Sequence, residues 1–266
     1  MNIIVCVKQV PDPEAPPARF KIDQNTYNVI STSDFPPVLS PFDEQAVEAA
    51  LRIKDAGGSK VTILSLGINL QRDVVKKPLS MGADELILLE DPAFVDGDSW
   101  STGYALAAAI KKIGKFDLIF CGRQAADSDS GQVGAAIAEI LGLPQVSVAR
   151  KIEAAGNKVR VERVTADGYE TVEVSMPALI TVSNELGEPR YATIKGIVAA
   201  KREEPIIWKP ADIGVDAFKV GLAGRRVRMV KIFQPAHVSK CEMITGANEE
   251  DAGKNLAKKM AEVKLL

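Results

Sequence analysis

FDLIFCGRQAADSDSGQVGAAIAEILG, residues 116–142, passes from an apolar run through a turn crowded with Gly, Ser and Asp into a helical pattern. The run at 116–121 is short, apolar and bounded by turn residues, which predicts a buried strand; the spacing from about 130 to 141 predicts a helix. The turn between them has several readings of its own. Asp127-x-Asp129-x-Gly131 begins like a calcium loop, but Gln132 and Ala138 stand where such a loop needs its glycine and its bidentate glutamate. Asp127 and Asp129 could also form an acid–base pair, or cap the helix. A fourth reading is a nucleotide cradle. Gly122, Ser130, Gly131 and Gly134 allow close backbone approach, Ser128 and Ser130 offer hydroxyl donors, and a helix N-terminus favours a phosphate.

Outward from this stretch, three more apolar runs predict buried parallel strands: 2–8 (NIIVCVK), 60–66 (KVTILSL) and 85–89 (ELILL). Helical patterns alternate with them. One starts at Ser40 as N-cap with Pro41 in the first position, places Val47, Ala50, Leu51 and Lys54 along one face, and stops at Gly57-Gly58. A second covers 70–80, weakened by Pro78, and a third covers 99–113. Strands alternating with helices predict a doubly wound, mostly parallel α/β sheet.

In such a sheet ligands bind outside the carboxyl ends of the strands. The strand ends here read VKQVPD, LSLGIN and CGRQ, and the helix start is LSPFDEQA. Their convergence at one edge points to an adenine-nucleotide site.

Composition sets the wider bounds. The 266 residues suffice for one large domain with appendages, and 46% hydrophobic with 26% charged residues is the make-up of a soluble globular chain. No window approaches the roughly 18 unbroken apolar residues of a membrane helix. With 33 basic and 35 acidic side chains, nothing overall favours nucleic acid. Cys6, Cys121 and Cys241 show no metal-ligand spacing and suggest a reducing, cytoplasmic location. One histidine, His237, argues against a histidine-built metal site or a Ser-His-Asp triad. Any redox or group-transfer chemistry would therefore belong to a bound molecule, with no catalytic side chain.

After residue 150 the pattern changes. KVRVERVT and TVEVSMPALITVS, with DGYE as the turn, predict an added β-hairpin. The expected organisation is an α/β domain over 1–200, with the hairpin and a loop in 150–200, and an extended arm over 201–266 ending in a helix with Leu256, Met260 and Val263 on one face.

These motifs together resemble the β subunit of electron-transfer flavoproteins over nearly the whole chain. The matching segments are VKQVPD (7–12), SPFDEQAVEAALRIKD (40–55), MGADE (81–85), GRQAADSDSGQVGAAIAEILGLPQ (122–145) and DGYETVEVSMPALITVSNELGEPRYATIKGI (167–197). The resemblance implies a Rossmann-like fold and a heterodimer with an α subunit, which the arm embraces and which carries the redox-active FAD. In this subunit it implies AMP or a second FAD, the latter accepting hydride from NADH in bifurcating members. The family's nucleotide pocket falls on Cys6; on Ser40, Pro41, Phe42 and Asp43; on Leu66; and on Gly122, Arg123, Gln124, Ala125, Ala126, Asp127, Ser128, Asp129, Ser130, Gly131, Gln132 and Val133.

VKQVPD and GRQA resemble the bifurcating and nitrogen-fixation-linked branch. That branch typically carries DGDTAQVGP and GPP where this chain has DSDSGQVGA and GIN; the ordinary branch carries DDDxNQTGQ. GEPRYATIKGIVAAK resembles the family's recognition loop, which implies that Ile194, flanked by Arg190, anchors a flavoprotein dehydrogenase such as an acyl-CoA dehydrogenase. The alternative class is an ATP- or AMP-binding regulator, or an ATP-pyrophosphatase-like enzyme. The latter would carry a Ser-Gly-Gly phosphate loop where this chain has KQVPDPE.

Overall fold

A computed structural model describes residues 1–16, 20–23, 29–30, 32, 34–233 and 241–265. His237 and part of the Pro-rich 11–20 segment lie outside the described residues. The chain divides into two compact units, Met1–Val230 and Lys231–Leu266.

Parallel strands need long crossovers, and this chain supplies them as helices. β1 (Asn2–Val7) leads to the two-residue strands β2 (Gln9–Val10), β3 (Lys21–Ile22), β4 (Val29–Ile30) and β5 (Val38–Leu39), which pair as β2 with β5 and β3 with β4. Helix α1 (Pro41–Gly57) then crosses to β6 (Lys60–Leu66), and the short helices α2 (Arg72–Val75) and α3 (Lys77–Met81) cross to β7 (Glu85–Leu89). Next, α4 (Ser99–Ile113) carries the chain back past β1 to β8 (Leu118–Gly122), followed by α5 (Val133–Leu141). The strands β9 (Gln145–Ala155), β10 (Lys158–Thr165) and β11 (Gly168–Ser175) form an antiparallel meander, and β12 (Ala178–Val182) returns parallel between β8 and β9. The first unit ends with α6 (Ile194–Arg202), β13 (Ile206–Trp208) and α7 (Gly221–Gly224). In the second, α8 (Glu249–Glu262) starts at Asn248, whose side chain accepts from Asp251 N.

The nine strands are ordered β11-β10-β9-β12-β8-β1-β6-β7-β13. Alternate residues of the central strands face opposite layers. Ile3, Val5, Val61 and Ile63 meet Ala46, Val47, Ala50 and Leu51 of α1; Ile4, Leu64, Ile87 and Leu89 meet Ala105, Leu106, Ala109 and Ile110 of α4. Each fully buried Val, Leu or Ile among them contributes roughly 1.5–3 kcal/mol. The chain winds one way from β1 through β6 and β7, and the other way through β8 and β12. The switch point therefore lies between β1 and β8.

The predicted strands and the helices at 41–57 and 99–113 are present, and Gly58 ends α1 in the left-handed region at φ 69°. The 70–80 helix is instead two. Lys76 stands between them, and Pro78, which has no N–H to donate, sits in the first turn of the second. The expected hairpin is a three-stranded meander. β9 escapes a period-two reading because Val148 takes φ 60° where the register with β12 shifts, and the register with β10 shifts just beyond it at Arg150, which interrupts the alternation. TVEVSMPALITVS is broken at Met176-Pro177, so that 178–182 leaves the meander for β8. Residues 206–208, expected on the arm, form the sheet edge beside β7. The last part of the first unit is tied back to α4: Asp98 accepts from Ser101 N as cap and from Arg226 N and Val227 N, and the Arg226 guanidinium lies 3.7 Å over the Trp100 ring.

Candidate functional site

The parallel registers bring the sequence-predicted segments together. Cys6 stands opposite Leu64 and Cys121, Val7 opposite Ser65, and Val182 opposite Gly122, so β1, β6, β8 and β12 end at one edge. Ser40 joins them because its N–H donates to Lys8 O at 2.9 Å. It is the N-cap residue of α1 by position, but its hydroxyl makes no cap bond. Among the described residues that hydroxyl is buried without a partner, as are Ser65 Oγ and Arg123 Nε.

Asp43, the third residue of α1, is buried at the switch point. Its Oδ2 accepts from Lys8 N at 2.8 Å and its Oδ1 from Gly122 N at 3.1 Å, so one carboxylate spans the ends of β1 and β8. Burial pushes its pKa up to about 7, against the lowering effect of those two N–H groups and of the Lys8 charge. Gly122 is where it is because a Cβ there would lie 2.5 Å from Asp43 Oδ1 and 2.7 Å from the Phe42 carbonyl carbon. The Arg123 guanidinium lies 4.9 Å over the Phe42 ring, and Arg123 N donates to Val182 O.

The turn after β8 is ordered by its own bonds. Ser128 N and Asp129 N donate to Ala125 O, and Gln124 Nε2 donates to Asp129 Oδ1 at 2.8 Å. Asp129 and Gly131 take φ 49° and 62°. Asp127 is held by Lys8 Nζ at 2.9 and 2.6 Å, and Ser130 Oγ lies 3.2 Å from Ser99 Oγ at the start of α4. Of the alternative readings of the turn, the one in which Asp127 or Asp129 caps the helix is therefore not what the structure has. α5 begins only at Val133, after Gln132, with no side-chain cap, because both aspartates are engaged within the turn or by Lys8. Ser128, Gly131 and Gln132 are exposed and Ala126 is partly buried, as is Leu66 at the end of β6.

Cys6 and Cys121 are buried neighbours on the α4 side of the sheet. A hydrogen bond with Cys6, and then burial, push the Cys121 thiol well above its usual range, so it stays a protonated core residue. Lys8 and Ser99, which the sequence reading did not single out, contact the turn through Asp127 and Ser130. For Lys8 a signal existed: a cation one residue past a strand end, opposite an acidic turn.

Ile194 and Arg190 lie elsewhere, on and before α6. Thr193 caps that helix, its Oγ1 accepting from Gly196 N, and Ile194 in the first position is 84% exposed beside Tyr191 at 96%. Arg190 turns inward. Its Nε donates to Glu48 Oε2 at 2.8 Å and its Nη2 lies 2.8 Å from Asp55, which ties the loop to α1. Burial raises the Glu48 carboxyl, but hydrogen bonds from Arg190 and Arg52 outweigh it and hold the group below the usual carboxylate range. The stability contributed by Glu48 is thus present above that range and lost as pH falls through its lowered value. Arg190→Ala should lower unfolding stability by about 2 kcal/mol at neutral pH, measured by urea denaturation, and should lessen that acid sensitivity.

A doubly wound sheet with a cluster of backbone and polar groups at its switch point defines a Rossmann-like α/β protein. The chain belongs to the electron-transfer flavoprotein family, as a β-subunit chain: the Electron transfer flavoprotein domain matches residues 28–213. It is 41% identical over 261 residues to the electron transfer flavoprotein subunit beta of Thermoanaerobacterium thermosaccharolyticum, covering 98% of each chain. It is 40% identical to the Caffeyl-CoA reductase-Etf complex subunit CarD of Acetobacterium woodii, again over 98% of each. With Protein FixA of Azorhizobium caulinodans it shares 37% identity over 92% of this chain and 88% of the other.

Proposed function

We propose that this chain is the β subunit of a heterodimer that carries electrons to or from a flavoprotein dehydrogenase, and that it holds an adenine nucleotide, AMP or FAD, at the β1–β8 edge. The observation that carries the nucleotide assignment is the bridging of the two strand ends by Asp43, beside buried hydroxyls without partners at Ser40 and Ser65. Buried polar atoms normally have partners, so these favour a polar ligand at the edge. Ser128 and Ser130, both exposed in the turn that follows β8, present hydroxyl donors to it. VKQVPD and GRQA, which resemble the FAD-holding branch, favour FAD over AMP.

The flavins supply the electron chemistry; this chain's residues bind, orient and dock. Ile194, exposed at the tip of α6, is the anchor for the dehydrogenase, with Lys195, Lys201 and Arg202 around it to speed encounter. An acyl-CoA-type partner agrees with the name of the CarD relative, and the location that fits such a carrier is the cytoplasm. The test is to co-express the chain with an α subunit, purify the complex and add NADH. Two FAD per heterodimer with rapid bleaching would establish an NADH-linked FAD in this subunit, and one FAD with one AMP would establish the AMP form. A colourless monomer that hydrolyses ATP would overturn the assignment.

A further inference from the structure

The turn over residues 122–132 is joined to the rest of the first unit at few points, and two of them converge on residue 8. Gly122 N, at the turn's start, shares the Asp43 carboxylate with Lys8 N, and Asp127, near its middle, is gripped by Lys8 Nζ. Two carboxylate oxygens thus satisfy one backbone donor on each side of the switch point, a task for which an ionised group is suited and a protonated one is not. Protonation would turn one oxygen into a donor facing an N–H, and the longer bond, at 3.1 Å to Gly122, would be the first released.

We propose that Asp43 is a positioning residue: by joining the N–H groups of Lys8 and Gly122, just past the last ladder pair of Cys6 with Cys121, its carboxylate fixes how the chain leaves β1 and β8 and holds the 122–132 turn in the geometry that retains the nucleotide. The proposal rests on the nucleotide reading for its consequence, but the clamp is a property of the chain itself. The charged and titratable groups facing Asp43 are the Lys8 ammonium from the end of β1, the Asp127 carboxylate from the turn and the Cys121 thiol from β8. With its value near 7 in the folded state and near 4 unfolded, the sign is fixed. The neutral form favours folding, so its contribution to stability is complete below about pH 4 and is lost as pH rises through 7. The clamp gains its second bond over that same rise. Above pH 7 the site is held at a cost to stability; below it the turn is released.

The experiment compares wild-type heterodimer with Asp43→Asn at pH 6 and pH 8. It measures nucleotide dissociation constants alongside amide-exchange protection factors for peptides covering residues 5–10 and 121–134. In wild type, both nucleotide affinity and protection should fall about tenfold from pH 8 to pH 6, the change expected for a group titrating near 7. Asp43→Asn should show the pH 6 behaviour at both values. Lys8→Met, which keeps the residue 8 N–H, should loosen 124–130 while leaving Gly122 protected. If Asp43→Asn does not fold, the wild-type pH comparison decides alone. Protection that is pH-independent in wild type would overturn the proposal. So would affinity that tightens as pH falls, because that sign means that the carboxylate faces the nucleotide's phosphate directly. A protection change with no nucleotide bound at either pH would support the clamp and refute the nucleotide reading.

Discussion

Gly122→Val should abolish nucleotide retention and lower unfolding stability by about 3 kcal/mol, the upper range for overpacking a tight site. A Cβ at this position would meet Asp43 Oδ1 at 2.5 Å, the Phe42 carbonyl carbon at 2.7 Å and Phe42 Cβ at 2.8 Å, and two of these three atoms cannot swing away independently of α1. The helix start must therefore move. That movement separates the Asp43 carboxylate from Lys8 N and Gly122 N, and it carries Arg123 off the Phe42 ring. Gly57→Ala is the control: nothing lies within 4 Å of a Cβ there, so it should leave stability unchanged or raised by less than about 1 kcal/mol. Thermal unfolding together with nucleotide release on denaturation reads both effects.

Ile194→Ala should act in the opposite way, reducing electron transfer with the dehydrogenase roughly 30-fold while leaving stability and nucleotide content untouched. An apolar side chain 84% exposed contributes little to folding, and its loss should change stability by less than about 0.5 kcal/mol. Seated in a partner's pocket it would act as an interface hot spot worth about 2 kcal/mol, which is that 30-fold. Steady-state transfer rates against dehydrogenase concentration check this. Added salt should slow encounter for wild type and variant alike, since Lys195, Lys201 and Arg202 remain. Equal rates for wild type and Ile194→Ala would remove the anchor role.

Where the sequence could be read, local chemistry and periodicity agreed. Apolar runs bounded by turn residues gave the four parallel strands. The Ser40-Pro41 start and Gly57-Gly58 stop located α1, because the fixed φ of Pro41 suits a first helical position and Gly58 takes the left-handed conformation, although the Ser40 hydroxyl makes no cap bond. What escaped was decided at a distance. β9 carries a positive-φ Val148 whose N–H is taken by Thr181 Oγ1 from β12, and nothing near Val148 in sequence announces that partner. β13 is three residues long and is a strand only because β7 offers it an edge.

The site divides in the same manner. Its segments were legible as strand ends, but the roles of individual side chains were not. Asp127 and Asp129 look alike in sequence, yet one is bound by Lys8, 119 residues away, and the other by Gln124, five residues away. Arg190 reads as a rim charge of a docking loop, whereas the buried Glu48 draws it against α1.

The most direct test of the central claim is to count the adenine nucleotides released when the purified heterodimer is denatured. Two per heterodimer are expected, one FAD from the partner and one AMP or FAD from this chain, with the second lost in Gly122→Val. A single FAD in wild type, unchanged by Gly122→Val, would contradict it.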